Sequence, residues 1–525
     1  MKLTTIAAMI AVIPCHAQDT ATESACRALT GLPDLTITSA EIRKTTPSGT
    51  PYCYVRGSIP PGIRYHVQLP LPANWNERFL NWGDHGKDGI LDFADHRVAQ
   101  GYAVANSNTG HDAGSEPDAT FAFNNRQAEI DHGYRAVHVT VVAAKNVIRA
   151  FYKRPAKYAY HEGCSTGGRQ GLMEAQRFPY DFDGIVAEGS VNYRLELMAG
   201  LRWLSQKIYS DKFAGALAFD TDGDGRLDSL TKLNVLHQAV LAKCDALDGI
   251  ADRVVSDPLR CRFDPDIELK DKRCPGDVNA DGCFTRRQIQ TVKDFYRGAH
   301  DSKGARVYWG FAPGSEWAWA SYIPHPGNRY QPSGITVGGD DLNYLFFDQD
   351  PGVPPPDWQD LGHRLDKRAN PPEWAWWEFN VDDFTGGKAN LMKSIQNATD
   401  PDLTRYLVKQ KGKLLLLEGW CDSTVAPQGA IEYFNNIVKS TFAGKIDEAQ
   451  KQIRLFMAPG MGHCGGGPGP NQWDKLAPII EWVEKGQAPD SVVATHSSKG
   501  KVDNERPAVP VPEASRLHRS AGRAE

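Results

Sequence analysis

The sequence predicts an α/β fold with a mainly parallel sheet covered on both faces and interrupted by one long insertion. Three observations carry this expectation. Short apolar strands alternate with helical patterns from Arg64 to Ala187, and the same rhythm resumes from Lys413 to Lys485. Between residues 191 and 399 the rhythm is lost, and tryptophan, proline and aspartate become dense. Several of the strands end in glycine-rich turns, as strands feeding a functional edge of a parallel sheet do.

Taken in order, Met1-Lys2, the apolar stretch Leu3 to Pro14 and the run Cys15-His-Ala17 before Gln18 read as a short secretory signal covering residues 1–17. A lipid anchor at Cys15 is the rival reading, disfavoured by the Ile-Pro before it, and a buried N-terminal helix is the bland one. Residues 18–60 carry short strands, among them Tyr52 to Val55, which a Cys26–Cys53 bridge could close into a layer. Tyr65 to Leu69 alternates as a strand. Arg78 to Trp82 is another, and it runs into Gly83-Asp-His-Gly86-Lys-Asp-Gly89, a turn whose N–H groups could face an anion or whose glycines simply take positive φ.

Tyr102 to Ala105 predicts a further strand. Over residues 127–152, Ile130, Tyr134, Val137, Val141, Val142, Val147 and Ile148 fall near one helical face. Lys157 to Tyr160 predicts the next strand and Gly168 to Phe178 the helix after it, with Gly184 to Ala187 following. Beyond the insertion come the almost wholly apolar strand Lys413 to Leu417, ending in Glu418-Gly-Trp-Cys-Asp422, and a helix from Pro427 to Asn436. The strand Gln452 to Phe456 then ends in Ala458-Pro-Gly-Met-Gly-His463-Cys-Gly-Gly-Gly467, and a helix from Trp473 to Lys485 closes the pattern. A polar, proline-containing tail follows, expected on the surface or disordered.

Bulk properties remove some functions. With 41% hydrophobic and 23% charged residues and a formal charge of −5, the 525-residue chain offers neither the basic patch that nucleic acid requires nor, internally, a run long enough to span a membrane. Of ten cysteines, nine remain once Cys15 leaves with the signal. Short separations suggest staples between Cys244 and Cys261 and between Cys274 and Cys283, in an oxidising compartment. Nine is odd, so one thiol stays unpaired.

The chemistry centres on Gly163-x-Ser165-x-Gly167, which lies between a predicted strand and a predicted helix. In that context the motif forms a nucleophile elbow: the glycines let the backbones pass closely and the serine hydroxyl stands above the sheet. Asp422 and His463 lie at the ends of two later strands, so serine, acid and histidine follow one another in the order used by the α/β-hydrolase fold. A serine needs a histidine to take its proton, and the histidine needs a carboxylate to fix its tautomer. Singly, Asp422 reads as a helix cap and His463 as a loop residue; jointly those readings require three coincidences of position and order. Cys164 precedes the serine and Cys464 follows the histidine, so a bridge between them would lock the two together. Closing a loop of about 300 residues in this way would stabilise by about 5–6 kcal/mol on the loop-entropy relation, as an upper figure.

The motif Gly163-Cys-Ser-Thr-Gly-Gly-Arg-Gln-Gly171, followed by Phe178-Pro and Asp181-Phe-Asp-Gly-Ile-Val186, with Gly462-His-Cys464 far downstream, resembles the tannase and feruloyl esterase family, which also includes mono(2-hydroxyethyl) terephthalate hydrolase. The resemblance runs from about residue 25 to 490. It implies an α/β-hydrolase core formed by residues 18–190 and 400–490, a large lid at 191–399, and a tail at 491–525. It also implies a Cys164–Cys464 bridge, and an oxyanion hole from the N–H groups of Thr166 and of the glycine turn, with Gly86 favoured. Cys244-Asp-Ala-Leu-Asp248-Gly-Ile250-Ala-Asp252-Arg-Val254 resembles the family's lid calcium site, with Asp245, Asp248 and Asp252 as side-chain ligands and Ile250 and Val254 giving carbonyls. Separately, Asp220-Thr-Asp222-Gly-Asp224-Gly225-Arg-Leu-Asp228 has the spacing of an EF-hand loop, with Thr231 where the bidentate glutamate belongs.

Two departures from the family pattern matter. Arg506-Pro-Ala-Val-Pro510 has Val509 where the family commonly has a cysteine, which leaves Cys421 as the odd thiol. The turn Gly83-Asp-His-Gly86 also carries fewer glycines than is usual there. The function implied is a secreted or periplasmic serine esterase cleaving small aromatic acid esters through an acyl-enzyme, with structural Ca2+ and no organic cofactor. The alternatives are a non-catalytic phenolic- or carbohydrate-binding protein on the same fold, with the tryptophan-rich lid as stacking platform, and a peptidase or acyltransferase sharing the acyl-enzyme step. Trp309, Trp317, Trp374, Trp376 and Tyr344 are candidates for the substrate pocket, most of them expected to be lid core. Nothing in the sequence sets the oligomeric state.

Overall fold

The computed structural model describes residues 15–113, 119–323, 325–328, 341–346, 379–385 and 387–508. Expectations at residues 1–14, Trp374, Trp376 and Val509 lie outside the described residues.

Nine strands form one sheet: β1 (Thr36–Lys44), β2 (Pro51–Ile59), β3 (Ile63–Pro70), β4 (Arg78–Trp82), β5 (Ala103–Ser107), β6 (Tyr158–Cys164), β7 (Gly184–Glu188), β8 (Lys413–Gly419) and β9 (Ile453–Ala458). Their spatial order is β1-β2-β3-β5-β4-β6-β7-β8-β9. From β5 through β4 to β9 the pairings are parallel, as the strand-helix rhythm predicts. The N-terminal strands are not a separate layer; they extend the same sheet by antiparallel pairing as far as β5. β1 has only Ala40 buried, so this edge strand carries no apolar run by which a sequence would reveal it.

The apolar run in β8 is explained by burial on both faces. Leu414 and Leu416 join the core that holds Val141 and Ile148 of the helix Ala136–Tyr152, Leu172 and Met173 of the helix Thr166–Arg177, and Phe434 and Ile437 of the helix Pro427–Phe442. Leu415 and Leu417 point the other way, onto Ile479 and Trp482 of the helix Leu476–Lys485. Each such leucine stabilises the fold by roughly 1.5–3 kcal/mol. The helix expected over 127–152 is present, with a π-turn at Asp131–Arg135 inside it.

Between β7 and β8 the described residues contain helices and 3-10 turns but no strand of the sheet. This insertion has its own core, in which Leu195, Leu201, Leu204 and Ile208 of the helix Arg194–Phe213 pack with Phe295, Trp319 and Tyr322. Apolar residues surround that helix rather than marking one face, which is why no periodic signal was visible in the sequence. Trp319 is fully buried and stacks on Phe295 at 4.2 Å, and Tyr344 is also buried, so both are core residues. Trp309 is only half-buried, with Gly429 close against its ring.

The tail departs from expectation. Residues Val492–Ser498 and Lys501–Ala508 pair as an antiparallel hairpin, β10–β11. Val492 and Ala508 bury into the sheet's core, which anchors a segment whose polar composition suggested none.

Candidate active site

Ser165 stands between β6 and the helix Thr166–Arg177 with φ 60° and ψ −120°, a strained geometry for a side-chain-bearing residue. The flanking glycines are required by approach distance. A Cβ on Gly163 would lie 2.5 Å from the Gly167 carbonyl carbon, and one on Gly167 would lie 2.9 Å from Gly83. The Gly83 turn therefore packs directly on the elbow, and the Gly167 N–H donates to the Asp84 carbonyl at 2.8 Å.

Two further residues of the motif hold the elbow in place, one of them through that turn. Gln170 accepts the Asp84 N–H at 3.1 Å and donates to its carboxylate at 2.6 Å. Arg169, fully buried, donates to the carbonyls of His132, Gly133 and Gln396, tying the elbow helix to the π-turn and to the insertion. Thr166 Oγ1 donates to the Gly86 carbonyl, which links the two expected oxyanion residues, and Gly86 takes a positive φ of 54°. Beneath them Asp84 and Asp88 face each other. Burial pushes both carboxyls up, and the charge of Asp84 pushes Asp88 further.

Asp422 lies in the turn after β8, fully buried. Its Oδ1 accepts the N–H groups of Thr424 and Val425, each at 2.7 Å, and its Oδ2 stands 2.7 Å from His463 Nδ1. An ionised carboxylate can only accept, so the Nδ1 of His463 carries the hydrogen and Nε2 is left to act as base. His463 lies in the loop after β9 and keeps 24% of its side-chain surface, enough for a substrate to reach. Burial pushes its pKa down, but the charge and hydrogen bond of Asp422 outweigh this, and it stands above the ordinary histidine value.

Cys164 and Cys464 are bridged across 300 positions of sequence, with Cα atoms 5.9 Å apart, which draws together the two segments that carry Ser165 and His463. Gly189 makes room for this junction: a Cβ there would lie 3.3 Å from both Cys164 Sγ and His463 Nδ1. The other bridges join Cys26 to Cys53, Cys244 to Cys261 and Cys274 to Cys283. Cys421 is unbridged and buried, and burial raises its thiol pKa to about 12.

The insertion braces both later loops, through contacts that no sequence motif announces. Tyr322 donates to the Ser423 carbonyl, the Ala426 N–H donates to the Tyr308 hydroxyl at 3.0 Å, and Trp317 packs against Gly462 and Gly467 beside His463.

The two acidic loops differ. Asp245 uses its carboxylate to accept the N–H groups of Asp252, Arg253 and Val254. Asp248 accepts from Ser256 at 2.6 Å and from the Ile250 N–H at 2.9 Å. Asp252 is bonded to Arg506 of β11, whose guanidinium is also 3.8 Å from Asp248. These three carboxylates are turned onto backbone N–H groups, Ser256 and Arg506, and they do not converge within 4.8 Å of one another. In the other loop the carboxylates of Asp220, Asp222 and Asp224 converge within 4.8 Å, and Asp228 turns back onto Thr221.

A strand-elbow-helix serine, with a histidine and an acid from two later strand ends, defines an α/β-hydrolase. The family model described as tannase and feruloyl esterase matches residues 49–524, and the chain belongs to that family. It is a carboxylic ester hydrolase. An uncharacterized esterase of Xanthomonas campestris pv. campestris is 32% identical over 511 residues, covering 88% of this chain and 82% of that protein. Mono(2-hydroxyethyl) terephthalate hydrolase of Piscinibacter sakaiensis is 30% identical, covering 89% and 82%. The crystal structure of feruloyl esterase B from Aspergillus oryzae superposes with a TM-score of 0.76 over 94% of this chain and 96% of that one, at 22% identity, and shares its fold.

Proposed function

We propose that the protein is a secreted or periplasmic serine esterase of aromatic carboxylic acid esters. Ser165 Oγ attacks the ester carbonyl while His463 Nε2 takes its proton. The tetrahedral oxyanion is met by the N–H groups of Thr166 and Gly86. As the acyl–oxygen bond breaks, His463 returns the proton to the departing alcohol, and water repeats the sequence on the acyl-enzyme to free the acid. Asp422 holds the imidazole in the required tautomer throughout.

The observation that carries this reading is the Asp422–His463 hydrogen bond joined through the Cys164–Cys464 bridge to a strained Ser165. A binding protein has no use for that constellation. The aromatic acid side is supported by the relatives, two of which are named for terephthalate and feruloyl esters. Export is supported by the four disulfides and by the N-terminal signal pattern. Calcium, in this reading, is held by Asp245, Asp248 and Asp252 with the carbonyls of Ile250 and Val254, and it stiffens the insertion without entering the reaction.

The test is Ser165→Ala assayed against methyl ferulate, methyl gallate and a terephthalate monoester. Hydrolysis by the parent and a loss of at least about a thousandfold in the folded variant are expected. Undiminished turnover in the variant would refute a serine mechanism.

A further inference from the structure

A second group of titratable side chains converges on the far end of the elbow helix. Glu174, about 13 Å further along the helix Thr166–Arg177 than Ser165, is 1% exposed. Both oxygens of its carboxyl are buried, and no N–H or O–H among the described residues donates to either. Buried charges are ordinarily paired or bound to a metal.

Two other ligand types reach the same point. A ring nitrogen of His138, from the helix Ala136–Tyr152, and a carboxylate oxygen of Asp181, from the loop before β7, lie within 4.8 Å of each other and of a Glu174 oxygen. His138 Nδ1 stands 2.6 Å from Asp181 Oδ2, and its ring stacks nearly parallel on Phe178 at 3.8 Å, which fixes its direction. His138 keeps 29% of its side-chain surface and Asp181 12%, so solvent reaches the cluster from their side and Glu174 forms its buried floor. That separates it from the Asp220 loop, whose carboxylates already accept the loop's own N–H groups.

The charged groups facing Glu174 are Asp181, an acceptor like itself, and Lys145. Lys145 donates to the Asp181 carbonyl at 2.5 Å, stands 3.9 Å from the Asp181 carboxylate and also faces Asp183. Burial, with the charge of Asp181, pushes the Glu174 carboxyl well above its ordinary range, as expected of a carboxylate short of counter-charge. Two carboxylates and an imidazole are a donor set for a first-row divalent ion. Ligand atoms on one tetrahedral zinc ion stand about 3.4 Å apart, which side-chain rotation can reach from the spacing seen here.

We propose that His138, Glu174 and Asp181 form a binding site for a divalent transition-metal ion, of which Zn2+ suits the donor set best, with water in the open fourth position. The ion takes the place of the hydrogen between His138 Nδ1 and Asp181, leaving the imidazole neutral with its hydrogen at Nε2, and supplies the positive charge that the Glu174 carboxylate lacks. It joins the helix Ala136–Tyr152 to the far end of the elbow helix and to the loop leading into β7. At that distance from Ser165 it clamps the fold and takes no part in ester chemistry.

The test uses the whole protein, stripped with a chelator and returned to buffer containing excess Ca2+, so that the Asp245 loop is supplied separately. The parent, Glu174→Gln and His138→Gln are dialysed against a small molar excess of ZnCl2, and zinc content and melting temperature are measured. The parent is expected to retain one equivalent of zinc more than either variant and to gain about 2 °C in melting temperature, a gain that both variants lack. Retention of that equivalent by either variant, or a parent that holds no zinc, overturns the proposal. His138 is half-exposed, so His138→Gln decides the matter even if loss of the buried Glu174 carboxyl disturbs folding. Neither readout uses turnover, so the result is independent of the esterase mechanism.

Discussion

The sheet and the insertion between β7 and β8 solve different problems. On the sheet, position is dictated by backbone: Ser165, Asp422 and His463 each follow the end of a strand, and a disulfide spanning 300 positions joins two of the loops. In the insertion, bridges span only 17 and 9 positions, and the aromatic residues pack on one another. In the proposed mechanism the sheet fixes where bonds break. Among the described residues, the insertion braces the Asp422 and His463 loops through Tyr308, Tyr322 and Trp317. Substitutions on the sheet should therefore strike kcat, and those in the insertion should strike stability or substrate choice.

The strongest way to break this division is at Asp422. Asp422→Asn preserves the shape but reverses the tautomer of His463, so kcat is expected to fall by about a thousandfold or more. In the parent, the raised pKa of His463 means that activity should fall as pH drops through a limb above about 6.5, because the imidazolium cannot take the serine proton. Rates of the parent and the asparagine variant across that range check both statements. A joint Cys164→Ser, Cys464→Ser variant is the next largest effect. Loss of up to about 5 kcal/mol in stability is expected, with kcat reduced even at low temperature, where the fold persists. Retained kcat with only the stability loss would show the bridge to be a staple and not a spacer for the site.

The loop proposed to hold calcium supplies the smallest effect and marks the division from the other side. Chelation with EDTA should lower the melting temperature by several degrees and leave kcat at low temperature unchanged, since Asp245, Asp248 and Asp252 lie in the insertion. A drop in kcat at constant melting temperature would contradict that assignment.

Much of the sheet was legible in the sequence because its strands are buried on both faces and end in glycine turns. The order of Ser165, Asp422 and His463, and the cysteines beside two of them, followed from the same signals. What escaped had weak local signals. β1 is an edge with one buried residue. The β10–β11 hairpin is anchored by Val492 and Ala508 within an otherwise polar segment. The helix Arg194–Phe213 is buried on several sides and has no clean stripe. Arg169, Gln170 and Asp84 were in plain view but carried no signal of role, because a buried hydrogen-bond network depends on partners that spacing does not reveal.

The central claim is that Ser165 is a nucleophile activated by His463. Mass spectrometry of the folded protein after treatment with a serine-directed phosphonate tests it most directly. A single adduct on the peptide containing Ser165, lost in His463→Ala, is predicted; an unlabelled protein, or an adduct on another serine, would contradict it.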